Sequence, residues 1–367
     1  MLGCGAQFDP ASELQGLRVL AVRKSAPYAQ PGMTVDLQML WHDSQPDRPP
    51  PQIAWLASCQ NPPADLFEIC FSTLAALSGA SPDQATPEVT AELLASLAGR
   101  VSLPSPGQTQ ANDRFSFTTA PDIISSRPVP KDPTSVAYGV DFVLFAACAG
   151  TLELRSGGDF PLVCYDNLDG EPGLGEGDVE LGSNDFVVGY SSVFAYDELQ
   201  NQNPLLQGVR WGDLELHPEA VPTIGGEPID APALGPDDLC IGAACQAPAP
   251  GLEPDVCPEA LSVPVCADGC PEIRLRPLID PASAELDSAA AAERSNNLQE
   301  QMWVNFYASH GKVAEEVRLL NDAVLGWSSD PYTDYEPADE PAVAYLWAVA
   351  HDNRGGSEWA RLRICLR

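Results

Sequence analysis

Thirty-six prolines spread through 367 residues limit what this chain can fold into more than any other feature. That is about twice the usual share of ~5%, and each proline fixes φ and removes a backbone donor, so long helices and long central strands are interrupted. Short strands joined by long turns suit such a sequence, and helical bundles do not. Between the prolines, apolar residues recur with a period of two. Leu17, Val19 and Ala21 fall at alternate positions, Pro31-Gly32 marks a turn, Val35, Leu37, Met39 and Trp41 alternate again, and a third run ends at Cys59. With 44% hydrophobic residues there is enough apolar material for a core in each of two or three domains, the number expected at ~100–200 residues per domain.

The charge balance removes one class of partner. Against 52 Asp and Glu stand only 19 Lys and Arg, a formal charge of −33, which excludes a nucleic acid held by phosphate neutralisation. No stretch approaches the ~20 apolar residues of a membrane-spanning helix, so membrane attachment would have to come from a lipid.

The 11 cysteines bear on compartment. An odd number in an exported protein requires a leftover thiol, and Met1-Leu2-Gly3-Cys4 has the small and apolar residues that precede the modified cysteine of a bacterial lipobox. Lipidation of Cys4 leaves ten cysteines for disulfides; the charged and apolar regions of the export signal are expected to have stood before Met1. Cys59 with Cys70 and Cys148 with Cys164 are expected as local pairs, and Cys365 is expected to reach back to the group Cys240, Cys245, Cys257, Cys266 and Cys270. Spacing alone leaves the full connectivity open. Zinc is the alternative for that group, although its spacings and its lack of nearby histidine differ from paired zinc knuckles. A cytosolic chain with scattered free thiols is the other alternative.

The fold class expected is mainly β: immunoglobulin-like β-sandwich domains with a small helical insertion and a Cys-rich connecting segment. Residues 1–15 read as lipobox remnant and tether. Residues 16–204 read as an immunoglobulin-like domain, in which Trp55 would be buried beside the Cys59 bridge. A helical insertion over 64–98 interrupts it, its second helix opened by Thr86 and Pro87. Residues 205–283, rich in Pro, Gly and Cys, form the connecting segment, and 284–367 a second sandwich.

The final hairpin, Tyr345 to Trp359 and the ARLRICLR that follows, resembles the closing strands of PKD-type and related bacterial immunoglobulin-like domains, which end in strand, Asp-x-x-Gly-Gly turn and strand. Together with the Pro31–Val35 opening, the DFVVGYSSVFAY run and the lipobox-like start, the chain resembles multi-domain surface lipoproteins of myxobacteria and their relatives. The resemblance implies an envelope location and brings no catalytic motif.

Candidate chemistry is sparse. Asp166, Asp169, Glu171 and Asp178 concentrate carboxylates on a Gly-rich loop, the donor set that Ca2+ takes, yet an EF-hand count from Gly170 places Tyr165 at its first position. A solvated hairpin loop is the competing reading. His42-Asp43 and His351-Asp352 stand at strand ends, where they serve turns, and motifs of metalloproteases, α/β-hydrolases and P-loop proteins are missing. Trp327, Tyr332 and Tyr335 fall on a polar, Pro-bounded stretch as candidate partner-binding aromatics, or fold back over a small core. The function expected is non-enzymatic: adhesion, scaffolding or partner binding at the cell envelope, outer membrane or periplasm through sandwich-end loops. Its partner would be a protein or a polysaccharide, with a lipid at one end and no cofactor beyond Ca2+. An envelope enzyme acting on polysaccharide or peptide and a calcium-stabilised stalk are the alternatives.

Overall fold

Alternation converts directly into strands at the start of the chain. The computed structural model describes residues 12, 14–45, 48–70, 99–104, 110–132, 135–154, 162–166, 179–245, 257, 259–267, 269–286 and 298–367. The chain is mainly β. Its first eleven strands are Leu17–Lys24 (β1), Tyr28–Ala29 (β2), Thr34–Asp43 (β3), Gln52–Gln60 (β4), Val101–Ser102 (β5), Arg114–Thr118 (β6), Gly139–Cys148 (β7), Thr151–Leu154 (β8), Leu162–Asp166 (β9), Val179–Glu180 (β10) and Phe186–Ala195 (β11). A β1-β3-β6 sheet faces a β2-β11-β7-β4-β5 sheet. Leu17, Val35, Leu37 and Met39 of the first pack against Ile53, Trp55, Val143 and Phe145 of the second.

Strand β7 is buried along its whole length because its outer face is covered as well. Phe142 and Leu144 lie under the Cys59–Cys70 region, and Ala146 and Cys148 lie beside a small β10-β9-β8 sheet tied on by Cys148–Cys164. Trp55 points the other way, into the sandwich, and donates its Nε1 to the Asn112 carbonyl at 2.8 Å. A register shift between Leu56 and Cys59 separates the two, so the ring and the bridge occupy opposite faces of the sheet rather than lying side by side. Of the expected helical insertion, a 3-10 turn at Pro63–Asp65 and helical backbone at 68–70 are seen. Positions 71–98 lie outside the described residues.

The second half contains Leu206–Trp211 (β12), Leu214–Leu216 (β13), Thr223–Ile224 (β14), Glu227–Pro228 (β15), Leu239–Ile241 (β16), Ser262–Val263 (β17), Ile273–Ile279 (β18), Met302–Ala308 (β19), Lys312–Val313 (β20), Val317–Asp322 (β21), Gly326–Trp327 (β22), Thr333–Glu336 (β23), Ala342–Asp352 (β24) and Ser357–Leu366 (β25). The sheet β15-β14-β13-β12-β18-β23-β20 packs on the sheet β16-β25-β24-β19-β21-β22. Residues 205–283 are therefore not a separate connecting segment from 284–367. β18 pairs with both β12 and β23, while β16 and β17 flank β25. Leu206, Val209, Leu239 and Leu275 share one core with Val304, Phe306, Leu346 and Ile364. A stretch with so little apolar surface gains its core by borrowing the other half of the sandwich.

The two sandwiches are stacked. Odd-numbered residues of β24 (Tyr345, Trp347, Val349), with Trp359 of β25, turn away from their own core and meet Leu20, Ala21 and Leu40 from the outer face of β1 and β3. His42 joins this seam, 5.0 Å from the Trp347 ring, and burial holds its imidazole down at about 4. Polar contacts lock the stack: Arg23 with Glu358, Ser357 Oγ on the Val22 carbonyl, and Asn203, which accepts from Ser357 N and donates to the Lys24 carbonyl at 2.7 Å. The Asn201–Pro204 turn that ends the first sandwich thus also holds the second. Lys24, fully buried at the end of β1, donates its Nζ to the Ser192 carbonyl at 2.9 Å; burial pulls its amine down to about 8, against a smaller opposing pull from Asp352.

Candidate binding face

The cysteines pair as Cys59–Cys70, Cys148–Cys164, Cys240–Cys245, Cys257–Cys365 and Cys266–Cys270, with Cα separations from 4.8 to 5.9 Å. These distances suit disulfides. Cys266, Cys270 and the Glu336 carboxylate come within 4.8 Å of one another. With the two sulfurs bonded to each other, only Glu336 is left as a donor, so this cluster does not offer zinc the thiolates it needs. Cys4 lies outside the described residues, as do Asp169, Glu171 and Asp178 of the candidate calcium loop. Asp166 is exposed at the end of β9. Asp185, just beyond that loop, is paired with Arg48.

The His-Asp pairs do turn and packing work. Asp352 accepts from the backbone of Arg354 and Gly356, both at 2.8 Å, and Asp43 accepts from Gln45 N at 3.0 Å. His351 stacks on Trp303, and burial, with a smaller push from Lys24, holds it down at about 4. Both His42 and His351 are therefore neutral in the physiological range.

The three candidate aromatics separate. Tyr335 is a β23 core residue, with no exposed surface, its ring 5.7 Å from Trp211 and its hydroxyl donating to the His310 carbonyl. It is not on a loop: the Thr333–Glu336 segment alternates, and Thr333 and Tyr335 take the inward positions. Tyr332 remains half-exposed beside the outer face of the β12-β18-β23 sheet, whereas Trp327, on β22 of the opposite sheet, folds back against the core and keeps only part of its surface, at the edge of a hollow.

That face gathers arginines in an otherwise acidic chain. Arg210 of β12 stands directly opposite Arg276 of β18, and Arg274 stands opposite Asp334 of β23. Arg210 is ion-paired with Glu215, its partner across β13. Arg274 lies 4.3 Å over the Tyr332 ring and 3.7 Å from Asp334. Arg318, from β21 of the opposite sheet, reaches the edge of this face, donating its Nε to the Tyr332 carbonyl at 2.9 Å and pairing with Glu315 at 2.8 Å. Arg276 has no carboxylate partner among the described residues, although acids outnumber bases almost three to one. Like charges directly opposite each other across a sheet are destabilising, on the order of 0.2–1 kcal/mol.

Two hollows flank Arg276. One, of about 470 Å³, runs past Arg210, Asp213, Glu272, Arg274 and Asp330 to Tyr332. The other, of about 280 Å³, runs past Gln207, Glu215, His217, Leu320 and Ser328 to Trp327, Glu215 being the carboxylate already paired with Arg210. Arg276 lines both, so it stands at the centre of one groove on a rigid sheet face. Sequence reasoning missed these arginines. The signal was the spacing Arg274-Leu275-Arg276 on a strand, which the alternation of β18 partly resolves: Leu275 faces the core while both arginines face out.

No family model matches the chain, and neither a curated protein nor a solved structure is found to be similar to it.

Proposed function

We propose that this is an exported, non-enzymatic binding protein of the cell envelope, anchored by lipid on Cys4 and engaging an envelope partner through the outer face of its second sandwich. The observation that carries the reading is the cysteine account: ten of the 11 cysteines close five bridges, and Cys4 is the one left over. Disulfides of this density belong to oxidising compartments, and a single leftover cysteine behind Met1-Leu2-Gly3 suits acylation. The binding face supports the second half of the reading. It is a groove with half-exposed aromatics and an arginine without a carboxylate partner among the described residues, set on strands rather than on the sandwich-end loops expected of an immunoglobulin-like domain. No helix among the described residues is long and apolar enough to cross a membrane.

The test is the intact mass of the protein taken from its native membrane fraction, before and after reduction and alkylation. Acyl mass on Cys4, with ten thiols alkylated only after reduction, is the expected result. An unmodified Met1 with freely alkylated thiols overturns it.

A further inference from the structure

We infer that the groove centred on Arg276 binds a polysaccharide of uronic-acid type, with the sugar carboxylate seated on the Arg276 guanidinium. This assignment rests on the binding reading above and gives it a ligand class.

Of the arginines lining the groove, Arg210 and Arg274 each have a carboxylate, and Arg274 also lies over the Tyr332 ring. Arg276 has none among the described residues and faces Arg210 across the strand pair. A guanidinium in this position presents a planar fork to the groove, and a carboxylate is its bidentate complement. An incoming anion also relieves the Arg210–Arg276 opposition.

The rest of the lining narrows the ligand. Asp213, Glu272 and Asp330 border the larger hollow on the same side as the arginines. Ionised carboxylates are acceptors only, so they suit a ligand rich in hydroxyl donors and repel one that is purely anionic. A peptide brings far fewer hydroxyl donors to those acceptors than a sugar does, and a neutral sugar would leave Arg276 unmatched. A sugar carrying both hydroxyls and a carboxylate satisfies both sets. Beyond Arg276 the smaller hollow ends at Trp327, which packs on the core and leaves part of its surface to the hollow beside polar Gln207 and Ser328. A pyranose offers C–H faces that pack on such apolar surface and hydroxyls that donate to such acceptors. Two hollows joined at Arg276 offer room for more than one sugar unit, which favours a polymer over a monosaccharide.

The experiment is calorimetric titration of the full chain with oligogalacturonate, with its carboxyl-reduced counterpart, and with a sulfated neutral oligosaccharide. Binding of oligogalacturonate, loss of binding on carboxyl reduction, and a fall of roughly ten- to a hundredfold in Arg276→Gln with a melting temperature no lower than that of the unaltered chain are the expected results. Trp327→Ala is expected to weaken binding as well. The ligand comparison uses the unaltered protein, so it decides the matter even if a variant misfolds. Equal binding of the carboxyl-reduced or the sulfated oligosaccharide overturns the carboxylate assignment. If oligogalacturonate does not bind while the protein still retains isolated envelope material, the sugar assignment falls and the binding reading stands; if neither binds, both fall.

Discussion

The bridge from Cys257 to Cys365 closes 108 residues, against spans of 16 or fewer for the other four. It ties the chain just ahead of β17 to β25, the strand that lies between β24 and β16, and β17 itself pairs in parallel with β25 at Cys365. In the chain-entropy account a disulfide acts by restricting the unfolded state, and the effect grows with the loop closed: about 4.7 kcal/mol near 100 residues, and about 2 kcal/mol for the spans of Cys240–Cys245 and Cys266–Cys270. A domain the size of the second sandwich shifts its Tm by about 2–4 °C per kcal/mol. The double substitution Cys257→Ala with Cys365→Ala is then expected to lower the Tm of the second sandwich by about 10–20 °C, and Cys266→Ala with Cys270→Ala by about 4–8 °C. Scanning calorimetry on the oxidised full chain measures both. The denaturant m-value should rise in the first variant, because freeing a long loop exposes more surface in the unfolded state. A Tm for the Cys257/Cys365 variant no lower than that of the short-loop variant would refute the reasoning, since the short bridge closes almost no loop.

Three further perturbations address the seam and the interior. Lys24, with its amine near 8 when folded and 10.5 otherwise, gives up its proton earlier in the folded chain. The unfolded state therefore holds the extra proton between those values, and unfolding free energy rises with pH across about 8 to 10.5 by up to ~3 kcal/mol; denaturation series should show that slope, and Lys24→Met should lack it. Asp141 is wholly buried on β7 with neither carboxylate oxygen hydrogen-bonded, and burial pushes its carboxyl up to about 6, against a smaller pull from Arg100. Here the folded state keeps the proton longer, so stability falls as pH rises from about 3.8 to 6 and the penalty persists above. Asp141→Asn should accordingly gain on wild type across that window, and a constant difference between the two curves would count against it. Trp347, 1% exposed at the seam, should cost about 3–5 kcal/mol when replaced by alanine, and calorimetry should then resolve the two sandwiches as separate transitions.

Alternation made β3 and the mainly β class legible, because exposed Thr34 and Asp36 alternate there with buried Val35 and Leu37; β1 packs on both faces, and its register shift between Val19 and Ala21 turns Leu20 and Ala21 to the seam, away from Leu17 and Val19. The stacking of the two sandwiches was written there too, in a different form. Ala342–Ala350 carries no polar residue at all, and β25 buries every position, arginines included. A strand with two apolar faces needs two cores. Read as the last hairpin of a lone domain, that run had no use for Tyr345, Trp347 and Val349, and these are the residues that reach the first sandwich. Arg363 shows why β25 concealed this. Its charge reads as a solvent position, but Asp238 waits for it inside, and a partner 125 residues away leaves no local trace.

The groove was hidden for a related reason, and the reason bears on what it does. Each arginine on that face is unremarkable alone, since a strand that shows Arg274 and Arg276 to water is the ordinary pattern of a half-exposed sheet. What marks the site is register. Moving β12 by one residue against β18 would set Arg210 beside Leu275 or Pro277 and end the opposition with Arg276. That register is imposed from the other side of the sheet, where Val209 and Trp211 must meet the core, so the like-charge pair is a consequence that the packing enforces. An acidic chain had carboxylates in abundance with which to relieve it, and on this face it placed them on Arg210 and Arg274 while leaving Arg276 open between two hollows. The strand register fixes where the Arg276 backbone stands, beside carboxylates that accept from hydroxyls, so a carboxylated sugar finds its complement at a set place on the sheet. Affinity for such a sugar then depends on the sheet behind Arg276 as well as on Arg276 itself, and Arg276→Gln should remove the affinity while leaving the sheet folded.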